Sequence, residues 1–359
     1  MILKIFAKIF LFIILLNVML FVNAESPDFY VWQRIYTKPL NSAIQEFYQN
    51  TTNRLYFLAG EMENNGKCLS VTPSSVVDLS RSTPVIRIHI KHMNKSVGDL
   101  SKEICKLYEP HKAAKALQID LDAPESKLDY YRDLMLELRK KLPNTTLSAT
   151  VLPCHLKHTQ EFLQFASACD FYVLQVHGLT KESGSWSIYN HKIAKKALAS
   201  AKKINKQFKV ALPMYANLLS SRQLVQPNLY EVAELAKQCD EIIVFRLGFS
   251  ENGQSLDRKT STQICNGKYS PKIDFHWEKK NDNLWYLYVE NSGFFADMVS
   301  IELIYDDPSL DMDIFNFSVL SNNKLLFLLP PSGVQNKILW VRCNDNQDVS
   351  KIITVKLED

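Results

Sequence analysis

From residue 30 onward, short apolar runs rich in β-branched and aromatic residues alternate with stretches whose apolar positions return every third or fourth residue. Eight runs are predicted as strands: Tyr30 to Thr37, Leu55 to Met62, Pro84 to Ile90, Ala116 to Asp122, Thr146 to Pro153, Phe171 to Gly178, Phe208 to Tyr215 and Glu241 to Phe249. Between most of them lies a predicted helix. The clearest is Lys127 to Leu142, striped by Leu128, Tyr131, Leu134, Met135 and Leu138 and closed by Pro143. Others are predicted at Ser42 to Gln49, Val97 to Tyr108, Thr159 to Cys169, His191 to Lys203 and Leu229 to Cys239. Strands that alternate with helices imply a parallel sheet, and eight such units imply an α/β fold of the closed (β/α)8, or TIM-barrel, kind. An open doubly wound sheet would more often carry a glycine-rich first turn, and none follows Thr37.

After Ser270 the period changes. Short runs such as Leu284 to Val289, Val299 to Tyr305 and Ile338 to Cys343 are separated by turn residues, with no helical stretch between them. This predicts a small all-β sandwich, immunoglobulin- or fibronectin-like, over residues 268–359 behind a barrel over residues 25–267. At the other end, Lys4 and Lys8 precede an apolar stretch from Ile9 to Val22, and Val22-Asn23-Ala24 has the small-residue form of a signal-peptidase site. The run falls short of the ~20 residues that cross a bilayer. Residues 1–24 are therefore expected to be a signal peptide cleaved near Ala24, leaving an exported protein, periplasmic or extracellular, without a stable membrane anchor.

Losing Lys4 and Lys8 with that peptide lowers the formal charge from +4 to +2. So even a balance, with no block of basic residues, argues against nucleic acid as the partner. Seven cysteines show no C-x-x-C spacing, and most read as small buried hydrophobes; a bridge involving Cys265 or Cys343 stays open. The pair His155 and His158 lacks a matching third ligand and reads as solvated loop chemistry, so neither a metal nor another cofactor is expected.

Candidate chemistry follows from alternation along the strands. If the polar phase faces the barrel interior, the strands present Glu61, Arg87 and His89, Asp120 and Asp122, Ser148 and Thr150, Gln175 and His177, Tyr215, and Arg246. Asp120 and Asp122 share a face about 7 Å apart along their strand. Because barrels of this kind react at the carboxyl ends of their strands, Asp122 and Glu61 lean toward function, while Arg87, Asp120 and Arg246 fit charge-pairing inside the barrel equally well.

Five motifs, Y-V-W-Q-R from Tyr30, L-Q-I-D-L-D-A-P-E-S-K-L-D-Y-Y from Leu117, L-S-A-T-V-L-P from Leu147, F-Y-V-L-Q-V-H-G from Phe171 and V-A-L-P-M-Y from Val210, resemble an uncharacterised bacterial family, domain of unknown function 3142. More distantly, the strand-four carboxylates are similar to the D-x-D-x-E of family 18 chitinases, whose glutamate is the acid. Here Pro124 occupies that position and Glu125 lies one residue later, so the resemblance implies the barrel and a saccharide more directly than a mechanism.

The expectation is a carbohydrate-active barrel, glycoside hydrolase-like, acting on a polysaccharide or oligosaccharide. Asp122 with Glu61 or Glu125 would catalyse, and Asp120, Trp32, Arg87, His89, Gln175, His177, Tyr215 and Arg246 would bind substrate. The alternative is a non-catalytic glycan-binding or envelope-associated protein with a degenerate site. Oligomeric state is left open.

Overall fold

The computed structural model describes residues 26–182, 184–315, 318–344 and 347–358, so the expected signal segment lies outside the described residues. Eight parallel strands form the barrel: β1 (Asp28–Val31), β2 (Leu55–Met62), β3 (Ser82–Ile88), β4 (Ala116–Asp120), β5 (Thr146–Val151), β6 (Phe171–Gln175), β7 (Phe208–Pro213) and β8 (Ile242–Phe245). Each pairs with the next, and β1 pairs with both β2 and β8, which closes the cylinder. Seven helices pack outside: α1 (Lys38–Asn50), α2 (Val97–Tyr108), α3 (Leu128–Lys141), α4 (Thr159–Ser167), α5 (His191–Ile204), α6 (Leu229–Ala236) and α7 (Arg258–Cys265).

Thr37, Ser96, Asn190, Asn228 and Asp257 cap five of these helices by accepting backbone N–H groups of the first turn. The second unit carries no α-helix. Its chain turns at Gly66, whose φ of 85° suits glycine, and returns as Cys68–Ser70 antiparallel to the end of β2. A second hairpin, His177–Glu182 with Ser185–Tyr189, rises after β6.

Alternation divides the apolar residues into two cores. Phe29, Phe57, Ile86, Leu117, Leu147, Tyr172, Leu212 and Val244 face the helices, whereas Tyr30, Tyr56, Val85, Val173, Ala211 and Ile243 fill the barrel. Its floor is sealed by Asp28, which accepts Lys209 Nζ at 2.8 Å and the Arg54 backbone N–H at 2.8 Å.

Beyond α7 the chain forms two four-stranded antiparallel sheets. They share one core that includes Leu287, Val289, Ile301, Leu303, Phe327 and Val341, as a sandwich requires. They meet the barrel through Ser332, whose hydroxyl donates to Asp257 at 2.6 Å, and through Ala296, whose backbone N–H donates to the Gly253 carbonyl at 3.0 Å.

Candidate active site

The polar interior residues gather at the carboxyl ends of β2 to β5, and a local irregularity puts the first of them there. Tyr56 and Leu58 face the interior, so strict alternation would turn Gly60 and Met62 inward and Glu61 toward the helices. The register of β2 against β3 slips between Leu58 and Gly60, which brings Glu61 opposite Arg87 and leaves Met62 in the outer core. Gly60 then packs against Leu107 of α2, where a Cβ would be only 3.3 Å from the leucine Cδ1.

Arg87 in turn pairs in register with Asp120. Glu61, Arg87 and Asp120 thus stand side by side on three neighbouring strands, the two acids about 10 Å apart at Cα with the cation between them. Thr150 on β5 extends the row by donating its hydroxyl to Asp120 Oδ1 at 2.8 Å. Glu61, 6% exposed, is bound by Arg34 from the loop after β1, and Arg87 Nη1 lies 3.8 Å from its other oxygen.

Asp120 ends its strand, and Asp122 lies two residues beyond, exposed to solvent. Burial of Asp120, reinforced by the negative charge of Asp122, pushes the Asp120 carboxyl up to about 6, against the lowering effect of the Thr150 hydrogen bond and the Arg87 charge. Asp120 therefore keeps its proton to about that pH.

The opposite arc of the mouth, from β6 through β8 to β1, is aromatic. Phe245 is its centre: its ring lies 5.0 Å from His177, 5.1 Å from Tyr215, 5.4 Å from Trp32 and 5.6 Å from Tyr30. His177, at the base of the second hairpin, lies with Nδ1 3.4 Å from the Tyr215 hydroxyl. Burial alone pulls its pKa down to about 3, so the ring is neutral. Burial likewise raises the Tyr215 phenol to about 12, against the Arg246 charge.

Gln175 donates to the His177 carbonyl at 3.2 Å. Asp122, Gln175 and His177 also line one end of a cleft of about 900 Å³ between the turn after β5 and helix α5.

Several expected residues sit elsewhere. Ile243 and Phe245 hold the inward phase of β8, and Arg246 follows the strand end, donating to Ser255 at 3.0 Å. Ser255 is brought there by Gly248, where a Cβ would overlap the Leu256 carbonyl. His89 caps a short 3-10 turn by accepting the Lys91 backbone N–H at 3.3 Å.

Glu125 is drawn outward, its carboxylate 2.8 Å from His158 Nε2 and 3.4 Å from Lys157 Nζ; the His158 hydrogen bond holds its pKa below the usual glutamate value. His155, expected in solvent, is buried, bridging the Ala123 carbonyl at 2.7 Å and the Leu152 N–H at 3.2 Å. Among the described residues no cluster of His, Cys, Asp and Glu could hold a metal ion. All the cysteines are free thiols, Cys265 and Cys343 buried.

The sequence reading passed over Arg34 and Phe245. Phe245 was recoverable from its place two residues after Ile243; Arg34, on a loop, carried no periodic signal.

The family resemblance holds for the central part of this barrel. Residues 85–229 match Domain of unknown function (DUF3142). The matched segment runs from inside β3 to the start of α6 and so contains Arg87, Asp120, Asp122, Thr150, Gln175, His177 and Tyr215. No curated protein matches the chain in sequence.

Solved structures similar in fold include the Bacillus megaterium spore cortex-lytic enzyme SleL, at 9% identity and TM-score 0.48 over 68% of this chain and 75% of that one. A chitinase from Chromobacterium violaceum follows at 8% identity and TM-score 0.49, over 67% of this chain and 98% of that one. No helix among the described residues is long and apolar enough to cross a membrane.

Proposed function

We propose that this glycosidase-like barrel is a glycoside hydrolase, with Asp122 as the group that protonates the leaving oxygen. The observation that carries the reading is the two strand-four carboxyls: half-buried Asp120, raised to about 6, and solvent-facing Asp122 two residues on. Glycosidic cleavage needs an acid that is still protonated near neutral pH and a negative environment for the oxocarbenium-like transition state. The proton that Asp120 keeps, passed on through solvent-facing Asp122, supplies the first. After its transfer, the charge left on the strand-four carboxyls, together with Glu61 beside Arg34 and Arg87, supplies the second.

Across the mouth, Trp32, Tyr215 and His177 offer ring faces and hydrogen-bonding atoms to a sugar. A panel of chromogenic glycosides and polysaccharides tests the assignment. Once a substrate is found, Asp122→Asn is expected to lower kcat/KM by about 10²- to 10⁴-fold without changing the melting temperature. Full activity in that variant ends the proposal.

A second reading, a glycan-binding protein without turnover, draws on both glutamates being held by neighbouring side chains: Glu61 by Arg34 and Arg87, Glu125 by the His158 hydrogen bond and Lys157. Oligosaccharide binding that releases no reducing ends, and that survives Glu61→Gln, would establish it. For either reading we take the protein as exported, with residues 1–24 removed and the strands beyond residue 267 forming a supporting module. A mature amino terminus other than Glu25 in the exported product would refute that processing.

A further inference from the structure

The cleft that begins at Asp122, Gln175 and His177 continues away from the mouth, and its character changes along the way. One wall is the turn after β5, with Leu152, Cys154 and Leu156; the facing wall is Ile193 and Ala197 of α5, and Leu179 and Ile188 of the second hairpin close it above. Ile193, Lys196, Ala197 and Ser200 lie on one face of α5 and span about 10 Å of its axis. A cavity of about 900 Å³ with apolar walls and a few polar groups at one end has the form of a small-molecule site.

Ile193 and Leu179 remain 46% and 39% exposed although they face this space. At the mouth end His177 is 9% exposed, and its Nε2 has no hydrogen-bond partner among the described residues. The charged residues of the lining are Asp122 at the mouth and the cations Lys157 and Lys196 farther out, so a cationic occupant is disfavoured.

We propose that the cleft holds a linear alkyl or acyl chain carried by the saccharide, so that the substrate is an acylated or lipid-linked glycan with its sugar at Asp122 and its chain along α5. This rests on the glycosidase reading for the sugar end and on the apolar walls for the chain. Each methylene buried there should raise affinity roughly fourfold.

Isothermal titration with n-decyl maltoside below its micelle concentration, maltose and decanoate separates the two ends. The alkyl glycoside should bind at least about tenfold more tightly than maltose, the equivalent of about two buried methylenes. Ile193→Glu and Leu179→Glu should each remove most of that gain. Both positions are exposed enough to accept the change, and glutamate in the first turn of α5 favours the helix; melting temperatures confirm folding.

Equal binding of decyl maltoside and maltose, or a gain that survives both folded variants, overturns the proposal. Turnover of unacylated glycans with no benefit from a chain would remove the cleft assignment and leave the glycosidase. Decanoate bound with no glycan turned over would support the chain site and remove the hydrolase.

Discussion

The two halves of the barrel mouth solve the burial of polar groups in opposite ways. From β2 to β5, charge is balanced against charge in register, Glu61 and Asp120 by Arg87 between them, and Thr150 adds a hydrogen bond to Asp120. From β6 to β1, the polar atoms of His177 and Tyr215 are wrapped in ring faces and kept neutral by burial. The ionic half keeps protons available near neutral pH, and the aromatic half removes them from play. On the proposed function, proton transfer belongs to the first and recognition of a sugar's faces to the second.

The largest expected effect that tests this division is on chemistry. Replacing Arg87, which is exposed at the mouth, with methionine should cost less than about 1 kcal/mol of stability, as for other exposed ion pairs. It should nevertheless lower kcat by about 10²-fold, because the cation between Glu61 and Asp120 sets the charge of the acid pair. Phe245→Ala should show the reverse, losing about 3 kcal/mol in chemical denaturation since four aromatic neighbours lose their common partner. If Arg87→Met melts early and Phe245→Ala does not, the division of labour is wrong.

Stability against pH gives the next test, and here the two halves carry opposite signs. Asp120 has a folded pKa of about 6, above its unfolded value near 3.9, so the native state holds the extra proton between those limits and stability falls as pH rises through them. His177 has a folded pKa of about 3, below its unfolded value near 6.5. There the unfolded state holds the extra proton, and stability falls as pH drops from 6.5 toward 3.

Between about pH 4 and 6 the slopes oppose each other, and these two groups together should leave stability nearly level. Asp120→Asn should leave a profile that rises with pH and gain on the order of 2 kcal/mol at pH 7, while His177→Phe should leave one that falls. Parallel profiles for the two variants would break the comparison.

The ionic half was the more legible in sequence because its residues alternate with apolar ones on strands whose other phase is plainly hydrophobic. Asp120, Arg87 and Thr150 follow from that period alone. Glu61 faces inward only because of the register slip at Leu58–Gly60, which no alternation rule contains. The aromatic half was read less well. On the eighth predicted strand no residue past Glu241 is polar except Arg246, so the polar phase pointed to the arginine while packing placed Phe245 inside. Glu125 was misplaced for a different reason: it lies past the strand end, where a 3-10 turn and the His158 and Lys157 side chains decide its direction.

The smallest effect falls where the halves meet. Trp32 follows β1, its ring edge-on to Tyr30 at 5.8 Å and tilted against Phe245 at 5.4 Å, and it remains partly open to the mouth. If its role is to stack on a sugar ring, that contact is the same in the ground and transition states. Trp32→Ala should then raise KM about fivefold, for the loss of roughly 1 kcal/mol of ring contact, and leave kcat within a factor of two. Trp32→Phe should recover most of the binding because a ring face is restored. A fall in kcat instead would mean that the aromatic half helps to position the acid pair, and the two arcs of the mouth would then act as one catalytic unit.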